Sequence, residues 1–359
     1  MSSQRGKKMY LLIVVTLLMG IAGHAEADFV YGTPTNLGPT VNSSALDITV
    51  NIAADGLSLF FTSDRPGGYG GWDIWVSTRT SVDDLWGEPE NLGPLVNSSA
   101  FDYAPNISAD GLKLYFNSDR PGGFGWNDIY VATRTTKDDP WGEPVNLGSP
   151  VNSYANDFFP SISSDGLSLY FGSGRVDGFG IDDLYVSTRA STDDPWGEPV
   201  NLGGTVNTSA NEGFPSISAD GRLLFFSSFQ NGGVGKDDLW VTMRGTKNDD
   251  WGTPVNLGEV VNSPEGEGAP SISSDGSTLY FYSDRPGGFG LVDIWEVSID
   301  PVVDLNSDGI VDAADMCIVV DHWGTDNSLC DIGPMPWGDG IVDVQDLIVL
   351  AEHLFEETP

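Results

Sequence analysis

An internal repeat of 55 residues constrains the fold of this chain more than any other feature of its sequence. The motif Trp-Gly-x-Pro-x-Asn-Leu-Gly begins at Trp86 and returns at Trp141, Trp196 and Trp251. A fainter copy, residues 31–38, precedes the first by the same spacing. A constant period of this size indicates that each repeat is one supersecondary unit that buries its apolar surface against its neighbours. The repeat therefore predicts the architecture before any local pattern is considered.

Each repeat predicts a four-stranded antiparallel sheet. In the second repeat, strands are expected at residues 104–108, 112–117, 128–133 and 141–147, with a hairpin turn at 110–111. Both faces of the second strand are apolar, which is typical of a sheet packed between two similar sheets. Propeller blades stack in this way, so each repeat is interpreted as one blade.

The displaced copy of the motif predicts how the ring closes. Four repeats end in a Trp-Gly strand, whereas the fifth ends at residues 295–298 without one. Residues 31–38 have the sequence of the missing strand. We therefore predict an all-β five-bladed propeller over residues 28–300, in which the N-terminal strand completes the last blade and leaves no open sheet edge.

The repeat also resembles a known family. The pattern Pro-x-Ile-Ser-x-Asp-Gly-x-x-Leu-Tyr-Phe-x-Ser-Asp-Arg-Pro-Gly-Gly-Phe-Gly-x-x-Asp-Ile-Trp, at residues 270–295, is similar to the TolB-like β-propeller repeats of bacterial envelope proteins. The resemblance covers roughly residues 30–300. It implies a propeller that serves as an interaction platform, and it implies little about the ligand.

The first 27 residues have the pattern of a secretory signal peptide. Basic residues between positions 5 and 8 precede an apolar run over residues 10–22, and small residues at 25–27 provide a cleavage site. The alternative is a membrane anchor, but the apolar run is shorter than the roughly 20 residues of a spanning helix. We expect cleavage after Ala27, no membrane span afterwards, and a secreted protein that is extracellular or periplasmic.

The charge balance restricts the partners. With 16 basic and 52 acidic residues the net charge is −36, which makes nucleic acid and anionic membrane surfaces poor partners. Cations, calcium above all, and neutral glycans suit such a surface better. Solubility or adaptation to high salt is the alternative explanation of the acidic excess.

One acidic residue precedes the innermost strand of every blade at the same register. These residues form a predicted ring at the channel mouth: Asp47, Asp102, Asp157, Glu212 and Glu267. They would bind a cation or a polar ligand. The alternative is that each pairs with a loop arginine or caps backbone amides. The same face is uneven in blades three and four, where the loop around Arg175 changes and Gln230 replaces the arginine, so we place a candidate groove for a glycan or envelope protein there.

Catalysis is not favoured by the sequence. No histidine or cysteine lies between residues 28 and 303, which excludes Ser-His and Cys-His nucleophiles and histidine-bound zinc in the propeller. We favour a non-catalytic binding protein. A glycoside hydrolase that uses the ring carboxylates, or an accessory subunit for polysaccharide degradation, is the alternative, and a purely structural surface protein is a third.

After a linker at residues 301–303 the composition changes. Residues 304–315 place oxygen ligands at loop positions 1, 3, 5, 9 and 12, a glycine at position 6 and a backbone carbonyl at position 7, which is the ligand pattern of a calcium loop. The predicted ligands are Asp304, Asn306, Asp308, Ile310, Asp312 and Asp315. A second, incomplete copy contains Asp339, Ile341, Asp343 and Asp346, and Asp331 would reach in from an enlarged loop.

Asp at loop position 12, a following helix and a second copy resemble a type I dockerin. The resemblance covers residues 304 to about 355 of a module at 304–359. It implies bound Ca²⁺ and attachment to a cohesin-like or other surface protein. In dockerins the tenth and eleventh loop positions contact the cohesin, and this chain lacks the usual hydroxyl pair there. The two cysteines, Cys317 and Cys330, are expected to form a disulfide rather than to leave a reactive thiol.

Overall fold

The structure is a computed structural model that describes residues 29–306, 309–325, 330–333 and 341–355. The predicted signal peptide and the predicted calcium ligands Asp308 and Asp339 lie outside the described residues. No helix within the described part of the chain is long and apolar enough to cross a membrane.

The described chain contains 21 strands and three short helices. The N-terminal segment forms β1 (Phe29–Tyr31) and β2 (Thr35–Asn36). Blade one comprises β3 (Asp47–Ile52), β4 (Ser58–Ser63), β5 (Asp73–Thr78) and β6 (Glu90–Asn91). Blade two comprises β7 (Asp102–Ile107), β8 (Lys113–Ser118), β9 (Asp128–Thr133) and β10 (Val145–Asn146).

Blade three comprises β11 (Asp157–Ile162), β12 (Ser168–Ser173), β13 (Asp183–Thr188) and β14 (Val200–Asn201). Blade four comprises β15 (Glu212–Ile217), β16 (Leu223–Ser228), β17 (Asp238–Met243) and β18 (Val255–Asn256). A single helical turn, α1 (Gly258–Val261), leads to blade five with β19 (Glu267–Ile272), β20 (Thr278–Ser283) and β21 (Asp293–Pro301). The C-terminal residues form α2 (Ala313–Asp321) and α3 (Val344–Glu352).

The five sheets close into a ring. Each innermost strand lies beside those of the two neighbouring blades, and β19 of blade five lies beside β3 of blade one. The five-bladed propeller predicted from the repeat is confirmed.

The N-terminal segment completes blade five, as predicted. Strand β2 pairs antiparallel with β21, with Thr35 opposite Glu296 and Asn36 opposite Trp295. Strand β1 pairs with the extended end of β21, with Phe29 opposite Pro301. Because β21 is longer than its counterparts, it carries both N-terminal strands.

The fourth strand of each blade is shorter than the sequence suggested. The prediction placed this strand at residues 141–147 in blade two, but only Val145–Asn146 pairs with β9. Pro144 has no N–H to donate to the ladder, and the chain turns at Gly148, which has a positive φ of 67°. The preceding residues still attach to the blade through one bond from the Gly142 amide to the Thr133 carbonyl at 2.8 Å.

The core lies between the blades. Leu114 and Phe116 of blade two are fully buried and pack against Phe60 and Ile74 of blade one, together with Trp141. Tyr115, on the opposite face of β8, is also buried and packs against blade three. Burial on both faces was expected from the apolar pattern, and each large side chain removed from water contributes roughly 2 kcal/mol.

The C-terminal helices have a small core of their own. Val311, Val319, Val342 and Leu350 are buried there together with Cys330. The predicted disulfide is not formed: Cys317 is a free, exposed side chain on α2, whereas Cys330 is a free, buried one. The Cys330 thiol lies 3.9 Å from the Ile318 carbonyl within the core, whereas the Cys317 side chain is at the surface.

Candidate functional site

The acidic ring at the channel mouth is buried and paired. All five side chains, Asp47, Asp102, Asp157, Glu212 and Glu267, have no exposed surface. Four of them bind the arginine of their own blade, at N–O distances of 2.5 to 3.1 Å: Arg65, Arg120, Arg175 and Arg285. Each of the five also accepts the backbone N–H of the residue four positions earlier.

These contacts decide between the two interpretations of the ring. A buried carboxylate that already binds a guanidinium and an amide has no oxygen facing solvent for a ligand. The ring does not present carboxylates to a ligand at the channel mouth, which corrects the ligand-binding interpretation. Pairing with arginine and backbone amides describes the structure instead.

The polar side chains on the uneven face of blades three and four also bind mainly to other groups of the propeller. Arg175 donates to the carbonyls of Pro150 and Val151 and lies 3.1 Å from Asp157. In blade four Gln230 replaces the arginine, and Glu212 is held by Thr208 and Ser228. Burial raises the pKa of Glu212. Arg175 and Gln230 line none of the three cavities described below.

The central channel is too narrow for a ligand. Its two cavities have volumes of about 30 and 70 Å³, room for a few water molecules. Phe159 and Phe214 stack across it with ring centroids 3.5 Å apart. Both belong to a β-bulge in the innermost strands, where one non-glycine residue per blade has a positive φ: Thr49, Ala104, Phe159, Phe214 and Ala269. The bulge directs these side chains into the axis and fills it.

A larger groove lies between blade five and blade one, where the ring closes. Its volume is about 520 Å³, within the range of small-molecule sites. Blade five contributes Asp275, Ser277, Tyr280 and Glu296, and blade one contributes Arg79. The remaining lining includes Thr33, Thr35, Asp55, Val82, Ser273, Thr278 and Ser298.

The groove lies where the repeat departs from its own pattern. Glu296 occupies the position of a valine in every other blade: Val76, Val131, Val186 and Val241. Ser277 replaces a leucine that blades one to three share. Both substitutions are visible when the five repeats are aligned column by column.

The groove contains one arginine, Arg79, that its neighbours hold in place, and one carboxyl group, Glu296, whose pKa is raised. The Arg79 Nε donates to the Gly56 carbonyl at 2.8 Å, and its guanidinium lies over the Trp86 ring at 4.2 Å. Burial raises the pKa of Glu296, although the Arg79 charge and a hydrogen bond with Tyr280 oppose the shift. Burial, reinforced by the Glu296 charge, raises the pKa of Tyr280 to about 12. The groove therefore combines a carboxyl and a phenol of blade five with a guanidinium of blade one.

The C-terminal module repeats one carboxylate arrangement in each half. Asp315 accepts the amides of Asn306 and Asp312 at 3.1 and 2.8 Å. Asp346 accepts those of Gly333 and Asp343 at 2.7 and 2.6 Å. Gly333, two residues after Asp331, therefore stands where Asn306 stands two residues after Asp304. This register makes Asp331 the counterpart of Asp304.

The donor chemistry of this module fits calcium. Asp315 and Asp346 are fully buried, and residues 304–359 contain 13 acidic residues without a single lysine or arginine. Hard oxygen ligands with an excess of negative charge suit Ca²⁺. Among the described residues no three carboxylates, histidines or cysteines converge as a metal site.

Comparisons with known proteins concern the fold alone. Neither a family model nor a curated protein matches the sequence. TolB from Acinetobacter baumannii is 15% identical with a TM-score of 0.43, and the match covers 67% of this chain and 53% of TolB. An α-L-arabinofuranosidase from Podospora anserina, in complex with cellotriose, is 13% identical with a TM-score of 0.49 and coverages of 76% and 97%. A family 117 glycoside hydrolase from Zobellia galactanivorans is 13% identical with a TM-score of 0.44 and coverages of 77% and 91%.

The partly buried Asp237, in the loop before β17, predicts a pH-dependent stability. Its Oδ1 is buried and finds no hydrogen-bond partner among the described residues. Burial, with the charges of Asp238 and Glu267, raises the pKa of Asp237 to about 7. Because the folded protein holds this proton more tightly than the unfolded chain, the contribution of Asp237 to stability falls as the pH rises from about 4 to about 7.

We expect Asp237→Asn to raise the free energy of unfolding by about 2 kcal/mol at about pH 8 and to change it little at about pH 4. Urea unfolding at the two pH values measures the difference. Asp83→Asn, an exposed loop aspartate of blade one, is the charge-matched control. If Asp237→Asn changed the free energy of unfolding equally at both pH values, the raised pKa of Asp237 would be contradicted.

Proposed function

We propose that this chain is an exported, non-catalytic propeller that binds an extracellular or envelope ligand, a glycan or a protein, and is tethered through a calcium-dependent C-terminal module. The groove between blades five and one carries the proposal. It is a cavity of ligand size in which Ser277 and Glu296 stand where other blades have leucine and valine. Selection for blade packing alone favours valine over a half-buried glutamate at position 296, so a ligand accounts for the exchange.

The carboxylates of the ring do not support hydrolysis. A glycosidase needs two solvent-accessible carboxyl groups that face one glycosidic bond. Asp157 is buried, and a guanidinium lies 3.1 Å from its oxygen. Glu212 is buried and holds the hydroxyls of Thr208 and Ser228. Neither side chain can reach a substrate without opening the interface between blades.

The C-terminal module is the proposed tether. Asp304, Asn306, Asp312, Asp315 and the Ile310 carbonyl would hold the first calcium ion, with Asp308 beyond the described residues. In the second loop the corresponding ligands are Asp331, Ile341, Asp343 and Asp346. Bound calcium would neutralise the carboxylates at the start of the two helices.

The outer surface of the helices supports a protein partner for the tether. Val320 and Trp323 at the end of α2, and Val344 and Ile348 on α3, are each about half exposed. Apolar side chains of this size at the surface of a small module are typical of an interface. A cohesin-like or other surface protein is the proposed partner.

Binding and hydrolysis assays test the proposal. The mature protein is screened against panels of glycans and envelope proteins, with calcium and with a chelator, and the same glycans are assayed for cleavage. We expect binding of a ligand without turnover, and loss of the tether partner alone on chelation. Glycan turnover abolished by Asp157→Asn or Glu212→Gln would overturn the proposal in favour of an enzyme.

A further inference from the structure

Two of the five junctions between blades contain an ammonium site. Across the junction of blades one and two, the Lys137 Nζ lies 2.6 Å from the turn aspartate Asp55. Across the junction of blades three and four, the Lys247 Nζ lies 3.2 Å from the turn aspartate Asp165. Both lysines are half exposed. At these junctions the next blade supplies a primary ammonium group to the aspartate of the preceding blade.

The junction of blades five and one has the aspartate without the lysine. Val82 occupies the register of Lys137 and Lys247, and it lines the groove opposite Asp275. Burial opposes ionisation of Asp275, but hydrogen bonds from Ser273 and from the amide and hydroxyl of Ser277 outweigh it and lower the pKa of this carboxyl. The carboxylate is therefore charged at neutral pH.

A second acid and several hydroxyls surround this position. Glu296 lies opposite Tyr280 in the sheet of blade five, and the hydroxyl residues Thr33, Thr35, Thr278 and Ser298 also line the groove. Arg79 already donates a hydrogen bond to the Gly56 carbonyl and lies over the Trp86 ring, and Asp55 already forms an ion pair with Lys137. With Asp275 and Glu296 against Arg79, the groove has a net charge of about minus one, which favours a cationic ligand.

From these observations we propose that the groove between blades five and one binds a primary ammonium group carried on a larger polar scaffold. The ammonium would take the place that Lys137 and Lys247 occupy at the other junctions and donate its three protons to Asp275, Glu296 and a neighbouring hydroxyl. The volume of about 520 Å³ exceeds that of one ammonium, so the hydroxyls contact the scaffold. The inference rests on the proposed function, because it names the ligand chemistry of the same groove.

Two sources carry this chemistry: a lysine side chain of a protein and an amino sugar. The probes are a capped Gly-Lys-Gly peptide and a glucosamine trimer, and their N-acetylated forms lack the charge. NMR titration of the mature protein measures their affinities. We expect at least one amine to bind, its acetylated form to bind at least tenfold more weakly, and added salt to weaken the binding. Which amine binds identifies the source.

Two variants introduce residues that other blades have. Val82→Lys supplies the lysine that blades two and four have at this register, and Glu296→Val restores the residue that the other four blades have. Each is expected to keep the melting temperature of the parent and to weaken amine binding at least tenfold. Thr192→Lys places the same charge at the same register of the junction between blades two and three, and it should leave binding unchanged.

The outcomes separate the inference from the proposed function. Equal binding of amines and their acetylated forms, or equal losses in Val82→Lys and Thr192→Lys, would overturn the ammonium site. A ligand without an amine that loses affinity in Glu296→Val would overturn the inference and leave the groove as the binding site. If no ligand of the panels lost affinity in Glu296→Val, both the ammonium site and the groove as the binding site would be overturned.

Discussion

Deletion of residues 28–40 is expected to prevent the propeller from reaching a stable, soluble fold. Strands β1 and β2 belong to this segment, and without them β21 is left as an open edge. Tyr31 packs with the core of blades four and five, and Leu37 packs with that of blades five and one. The Asn36 side chain joins Asp293 and Asn42 at 2.9 Å each.

The expected loss is comparable with the stability of a whole domain. The two large, partly buried side chains contribute at most roughly 2 kcal/mol each, and the lost hydrogen bonds contribute about 1 kcal/mol each. The sum reaches the 5 to 15 kcal/mol that typically separates a folded domain from its unfolded state. The truncated chain should therefore aggregate or elute as an expanded species.

Size-exclusion chromatography and thermal unfolding of the truncated protein measure this effect. A synthetic peptide of residues 28–40, added during refolding, should restore the monomer by pairing with β21, and a scrambled peptide of the same composition should not. A truncated protein that melts like the intact one would show that the N-terminal segment does not close the ring.

Removal of calcium is expected to unfold the C-terminal module and to leave the propeller folded. The module has 13 acidic residues and neither lysine nor arginine to balance them. Asp315 and Asp346 are buried at the start of α2 and α3. Without a cation, mutual repulsion and desolvation of these carboxylates oppose folding.

The size of this destabilisation follows from the thermodynamic linkage between calcium binding and folding. At a free calcium concentration 100-fold above the dissociation constant, one site adds about 2.7 kcal/mol. Two sites would add roughly twice as much, which is a large fraction of the stability of a module this small. We therefore expect loss of the helical circular dichroism signal on chelation, and its return when calcium is added.

Two aspartate variants locate the ion. Asp315→Asn removes a predicted ligand and should weaken calcium binding at least tenfold. Asp321→Asn removes an exposed charge on the same helix and should not. Calorimetric titration measures both affinities. A module that remains helical in chelator, or equal affinities of the two variants, would contradict the calcium loops.

The period of the sequence was sufficient to predict the ring and its closure. A repeat fixes which residues share a register, so the missing strand after Trp295 and the extra strand before Val41 could be matched without coordinates. The fourth strands were overestimated because the Trp-Gly-x-Pro motif looks extended, although its proline cannot pair. The extent of pairing depends on single N–H groups rather than on the apolar pattern.

The candidate site was harder to predict for a different reason. The ring of acids was located correctly, but its role depended on whether each arginine lies within bonding distance, which register alone does not show. The groove contains two substitutions: Glu296, where the other four blades have valine, and Ser277, where blades one to three have leucine. It becomes a cavity only where blade five meets blade one. The free thiols of Cys317 and Cys330 likewise reflect side-chain directions that spacing does not determine.

The most direct test of this account is a map of where a bound ligand contacts the propeller. Backbone NMR shifts of the mature protein, recorded with a ligand selected from the glycan and protein panels, show the site residue by residue. We predict that the shifts cluster at Arg79, Asp275 and Glu296 and that Glu296→Val abolishes them. Shifts that cluster instead at Arg175 and Gln230 would contradict the groove between blades five and one.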